Sequence, residues 1–118
     1  MKMRYDEAYN ALSLLVKLRE KGRLGLVIAK NIRILREEIS EYISKRDEYV
    51  MKMGSMNSDG LYTLEGKERI DEFLSIMNEY NTIEFEFTPQ RIDEETFCSG
   101  DLTSDQMVLL SWMIDDSK

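Results

Sequence analysis

The chain contains no histidine and only one cysteine, Cys98. Without histidine it lacks the commonest general base near neutral pH. A single thiol without imidazole does not complete a zinc or iron site. It also forms no internal disulfide and has no histidine to activate it as a nucleophile. No GxxxxGK[ST] or GxGxxG is present, so the usual phosphate cradles are absent. No apolar run reaches the roughly 18–20 residues of a membrane span, and the first ten residues, MKMRYDEAYN, hold no signal-peptide core. These absences lead to the expectation of a cytoplasmic, non-enzymatic protein with no cofactor and no metal. An acidic magnesium site is set against the plainer reading of a solvated acidic face, and the latter is preferred.

What is present is charge, unevenly spread. The net charge is −7 over 118 residues. Residues 1–53 carry 12 Lys/Arg against 8 Asp/Glu, whereas residues 54–118 carry 4 against 15. Such asymmetry suggests charge-guided docking, either within the molecule or onto a partner. At 42% hydrophobic residues, one domain spanning 1–118 can bury a core.

Helical periodicity dominates. Residues 5–21 place Ala8, Leu12, Leu15 and Val16 on one stripe, with Asp6 and Glu7 in the first turn and Gly22 as the stop. GRLG reads as a turn. Residues 26–52 then form the longest element, with Ile28, Ile32, Leu35, Ile39 and Tyr42 stepping by 4 and 3 like a coiled-coil seam. Arg46 interrupts that seam, and Tyr49 and Met53 resume it. Arg33–Glu37 and Glu41–Lys45 have the spacing of surface ion pairs. The two helices make an αα-hairpin over 5–53. GSMNSDG (54–60) reads as a mobile loop. Met51, Met53 and Met56 around it either finish the seam, which is preferred, or offer an adaptable contact surface.

The remainder, 61–118, reads as an acidic helix–strand–helix part. LYTL is a short extended piece. Residues 67–80 place Ile70, Phe73, Leu74, Met77 and Tyr80 on one face, with Asn81 as an end cap. TIEFEFTPQ alternates Ile83, Phe85 and Phe87 with Glu84 and Glu86, the period of a strand with one apolar and one acidic face. Its apolar residues are expected to pack on the helices. Its partner is expected to be LYTL or a copy of itself in a second subunit, so a homodimer is kept open. Residues 90–101 read as irregular. Thr103 and Gln106 fit a capping box before an apolar terminal helix of Met107, Leu110, Trp112, Met113 and Ile114. The expected class is therefore mainly α, with a small β element.

The order of ALSLLVKL, a Gly-bearing break, AKNIRILREEISEY, an SDG loop, EFLSIMNEY, IEFEF and LTSDQMVLLSWMID resembles a family of small uncharacterised proteins encoded by phages and prophages of Gram-positive bacteria. The resemblance covers most of the chain as a pattern and carries no catalytic motif. It implies a phage origin, a helical hairpin, and a bacterial host's cytosol as the place of action. It raises two roles: an inhibitor of a host defence such as a CRISPR effector or nuclease, and an accessory of the virion or its assembly that self-associates through the long helix.

Two charged sets are candidates for contact. The basic run Lys17, Arg19, Lys21, Arg23, Lys30, Arg33 and Arg36 could follow a phosphate backbone. It lacks interleaved aromatics and sits in an acidic protein, so direct nucleic-acid binding is not expected. The acidic set is Asp71, Glu72, Glu79, Glu84, Glu86, Asp93, Glu94, Glu95 and Asp101. Its plain reading is a solvated surface. Its functional reading is a partner-binding patch that imitates a phosphate backbone. Glu84 and Glu86 would stand about 7 Å apart on one strand face, near a phosphate spacing, as in any alternating acidic strand.

Overall fold

The computed structural model describes residues 1–56 and 58–115. Its order is β1 (Lys2–Arg4), α1 (Tyr5–Leu15), α2 (Gly22–Glu38), α3 (Ser40–Met53), β2 (Ser55–Met56), β3 (Tyr62–Thr63), α4 (Lys67–Asn81), β4 (Glu84–Glu86), α5 (Glu94–Cys98) and α6 (Ser104–Leu109), with a closing 3₁₀ turn at Ser111–Met113. The protein is mainly α with a small β element, as its periodicity predicts. No helix among the described residues is long and apolar enough to cross a membrane.

The first helix is shorter than its periodicity predicts. α1 ends at Leu15, and the N–H groups of Lys17 and Leu18 tighten onto the carbonyls of Leu14 and Leu15. Gly22, expected as a stop, instead opens α2, and GRLG is that helix's first turn. The reversal is close. A Cβ on Gly25 would lie 2.6 Å from the Glu20 carbonyl oxygen, so only glycine lets α2 turn back there. A helix continued through Lys21 would advance about 9 Å further and leave no chain for this reversal.

The long second arm is two helices. Ile39 (φ −107°, ψ 16°) separates α2 from α3. Ser40 Oγ donates to the Glu37 carbonyl at 3.2 Å, engaging an oxygen that a regular helix would offer to the N–H of Glu41. A serine inserting into the ladder is a recognised cause of bending. The bend lets α2 lie against α1 and α5, and α3 against α4. On α3 the ion pair is Lys45–Glu48 at 3.6 Å, in place of the expected Glu41–Lys45.

The seam is consumed inside the molecule. Ile28, Leu35, Ile39 and Tyr42 are buried, and Ile32 packs against them. A fully buried Leu or Ile contributes about 1.5–3 kcal/mol relative to exposure. On α4 the inward face is Phe73, Met77 and Tyr80, whereas Ile70 and Leu74, expected on that face, are exposed. They flank the stripe, and no element among the described residues buries them. Asn81 does not cap α4. Thr82 takes that place, and Asn81 Oδ1 accepts from the Tyr42 hydroxyl at 2.5 Å.

The acidic strand finds a different partner from those expected. β4 pairs antiparallel with β1, in the register Lys2–Glu86, Met3–Phe85 and Arg4–Glu84. The physical reason is charge and pattern together: K-M-R opposite E-F-E places opposite charges on one face and apolar side chains on the other. Tyr62–Thr63 pairs instead with Ser55–Met56, so the start of the expected 54–60 loop is strand β2; Asn57 lies outside the described residues. Phe85 is partly buried and Phe87 is buried, but Ile83 stays half-exposed.

Residues 90–101 are also more ordered than expected. Asp93 caps α5 by accepting from the Thr96 N–H at 2.9 Å, and Phe97 is buried. The capping box of Thr103 and Gln106 forms as predicted. Leu110 and Met113 are fully buried, although Val108 and Leu109 face outward. Ile92 and Ile114 form a parallel bridge: the Ile92 N–H donates to the Met113 carbonyl, and the Asp115 N–H donates to the Ile92 carbonyl, both at 2.8 Å.

One buried polar residue ties the halves together. Asn31, fully buried on α2, donates from Nδ2 to the Gln90 carbonyl at 2.9 Å and accepts the Gln90 N–H on Oδ1 at 2.8 Å. The amide thus replaces a strand partner for the backbone just after Pro89. Asn31→Ala would remove both partners from the part-buried Gln90 backbone, at a cost of about 1–3 kcal/mol. Urea unfolding measures this; a loss under about 0.5 kcal/mol would show that water satisfies both groups.

Candidate protein-binding surface

The nine residues of the acidic set fall into three groups, seven of them on helices or a strand and Asp93 and Asp101 just outside α5. Asp71, Glu72 and Glu79 are exposed on α4, which packs on α1 and α3. Glu72 and Glu79 share one helical stripe with Glu68 on the outer side. Glu84 and Glu86 are exposed on the solvent face of β4, opposite Arg4 and Lys2. Asp93, Glu94, Glu95 and Asp101 lie at and beyond α5, which packs on α2. The α4 and α5 groups therefore rest on different parts of the helical layer.

The α5 group sits beside part of the basic run. Arg23 reaches Asp93 at 3.6 Å, and Arg23 and Arg91 share a shallow depression with Asp93, Glu94 and Glu95. The Asp101 N–H donates to Glu20 Oε1 at 2.8 Å, and Gly100 admits that carboxylate, since a Cβ there would lie 2.6 Å from Glu20 Oε2. Charge asymmetry between the halves is thus partly resolved inside the molecule. Of the nine acidic residues only Asp93 joins an ion pair among the described residues. The others present unneutralised carboxylates to solvent.

The titration of Asp93 is displaced by its cap hydrogen bonds. The hydroxyl and backbone N–H of Thr96 donate to its carboxylate and hold its pKa below the ordinary 3.8, with a smaller contribution from Arg23. Tyr42 moves the other way, because burial disfavours its phenolate.

Two residues outside the acidic set organise the neighbourhood. The Arg46 guanidinium lies 4.6 Å from the centre of the Tyr9 ring and 5.6 Å from that of Phe73. The residue read as a seam interruption is a cation–π bridge between α1 and α4, and its signal was the charge standing at a seam position. Lys2 and Arg4 were missed as part of β1; their signal was the alternation K-M-R, complementary to E-F-E. Around the loop, Met53 packs against the core, whereas Met51 and Met56 are exposed. Cys98 is exposed. Among the described residues no group of three His, Cys, Asp or Glu side chains is placed to hold a metal.

A cleft of about 470 Å³ lies between α3, the end of α4 and the start of β4, bordered by Tyr5, Tyr42, Tyr80 and Ile83, with Glu41, Lys45 and Glu48 also lining it. A second cleft of about 360 Å³, lined mainly by Met1, Met3, Leu14, Leu109 and Trp112, lies on the β1 side. No family model, curated protein or solved structure matches this chain.

The lowered pKa of Asp93 has a definite sign. Its contribution to stability is complete above the unfolded value, near 3.8, and is lost as pH falls through the lower folded value. A carboxyl-detected NMR titration is expected to find the Asp93 midpoint below 3.8 and to find it raised in Thr96→Val. A wild-type midpoint at or above 3.8 would contradict the capping account.

Proposed function

We propose that this protein acts without catalysis, by binding a protein partner through its acidic surface and blocking a host nucleic-acid-handling complex of the CRISPR-effector or nuclease kind. The observation that carries the reading is the exposed, unneutralised carboxylate set: Asp71, Glu72, Glu79, Glu84, Glu86, Glu94, Glu95 and Asp101 have no ion-pair partner among the described residues. Surface carboxylates of one sign create a potential that steers a basic partner and compete for the groove where it would hold phosphates. The resemblance to phage and prophage proteins supports this reading and a site of action in the bacterial cytosol.

The rival role, a virion or assembly accessory self-associating through the long helix, is less well supported. Its seam of Ile28, Leu35, Ile39 and Tyr42 is occupied by the protein's own core. Direct nucleic-acid binding is disfavoured by the same acidic surface that favours a basic protein partner.

The test is capture from lysate of a Gram-positive host, washed at low and high salt. A nuclease or CRISPR effector retained at low salt and shed at high salt is the expected result. Reversal of Glu84, Glu86, Glu94 and Glu95 to lysine is expected to lower its capture by about 10- to 100-fold, since a few tenths to about 0.7 kcal/mol per exposed charge accumulates over four reversals. Thermal unfolding of the variant should stay cooperative. Undiminished capture by a folded variant would sink the acidic-surface reading, and recovery of phage structural proteins, or of this chain alone, would favour the assembly role.

A further inference from the structure

Antiparallel strands alternate residues that exchange backbone hydrogen bonds with residues that turn those groups outward. Met1 and Phe87 exchange both bonds, at 2.8 and 3.0 Å, and the Tyr5 N–H donates to the Ile83 carbonyl at 3.1 Å. With the register Lys2–Glu86, Met3–Phe85 and Arg4–Glu84, the bonded positions are 1, 3 and 5 on one strand and 87, 85 and 83 on the other. Glu84 and Glu86 occupy the alternate positions. Their N–H and C=O groups point away from β1, on the outer edge of a sheet of two strands. Among the described residues, no donor or acceptor meets them.

We propose that this β4 edge is a strand-docking site for an extended, basic segment of a partner protein. Main-chain bonds to Glu84 and Glu86 would supply the pairing, and their exposed carboxylates would select lysine or arginine on the neighbouring strand. The edge begins at half-exposed Ile83, which also borders the tyrosine-lined cleft, where Glu48 is paired with Lys45 and Glu41 stands beside them. An apolar side chain adjacent to such a lysine, turned to the opposite face of the incoming strand, has a receptor there. A second β4 is excluded as occupant, because it would set glutamate against glutamate. A second copy could instead offer its β1 edge, with Lys2 and Arg4. The sign of the partner's charge rests on the acidic-surface reading above; the backbone pairing does not.

The test is residue-resolved amide hydrogen exchange on the full chain. The probe is a short capped peptide of alternating lysine and valine, together with two forms methylated on alternate backbone nitrogens, one on the lysines and one on the valines. The expected result is exchange at Glu84 and Glu86 slowed by about tenfold or more at saturation, with one methylated form losing the effect and the other keeping it. Peptide that shifts the glutamate carboxylate resonances without slowing these amides, or equal binding by both methylated forms, overturns strand docking and leaves the acidic surface standing. No binding also overturns it, while capture from lysate judges the acidic surface separately. Protection without peptide that rises with protein concentration would assign the edge to a second copy and overturn the proposal.

Discussion

A continuous file of aromatic rings is the interaction on which the rest of this structure depends. It starts at Trp112 in the closing turn, which meets Phe87 edge-on at 6.0 Å. Phe87 stacks with Phe85 at 5.5 Å, Phe85 with Tyr5 at 4.9 Å, and Tyr5 with Tyr42 at 5.5 Å. Tyr42 meets Tyr9 at 6.0 Å, and Arg46 links Tyr9 to Phe73. One file therefore crosses the C-terminal turn, β4, α1, α3 and α4. An isolated two-stranded sheet is marginal in water, and β1 with β4 is only three residues long on each side. Ring contacts worth about 0.5–1.5 kcal/mol each beyond burial fasten that sheet to the helices.

This anchoring decides what the acidic strand can do. Because Phe85 is held between Tyr5 and Phe87, the period of two turns Glu84 and Glu86 outward on a fixed backbone. The opposing Lys2 and Arg4 temper the local repulsion without reaching ion-pair distance; Arg4 bonds instead to Asp6, at 2.6 Å. The carboxylates are thus displayed from a supported element, which lowers the ordering cost of binding. The other acidic groups are displayed in the same way, by α4 on one part of the helical layer and by capped α5 on another.

Local periodicity carried most of the fold. The seam, the capping box at Thr103 and the alternation at 83–87 each involve neighbours within a few residues, where spacing alone decides the face. What the sequence concealed depends on contacts between distant residues. The β1–β4 pairing joins residue 2 to residue 86, and only the charge complement hinted at it. The bend at Ile39 comes from one serine hydroxyl choosing a carbonyl, a competition that hydrophobic spacing does not report. The outward turn of Ile70 and Leu74 follows from which neighbour α4 meets, and α4's own stripe is wide enough to allow either orientation. The acidic residues were legible as exposed, since charge itself enforces that. Their division among three elements was not, because it follows from α4 and α5 docking on different helices.

The claim that the ring file holds the sheet to the helices is tested most directly by a double-mutant cycle on Tyr5 and Phe85, each replaced by leucine, with stability measured by urea unfolding. The expected coupling is about 0.5–1.5 kcal/mol, with faster amide exchange at positions 85 and 87, whose N–H groups face β1, in each single variant. Additivity within about 0.3 kcal/mol, with exchange in β4 unchanged, would mean that the sheet is held by backbone pairing and general burial alone, and would contradict the account.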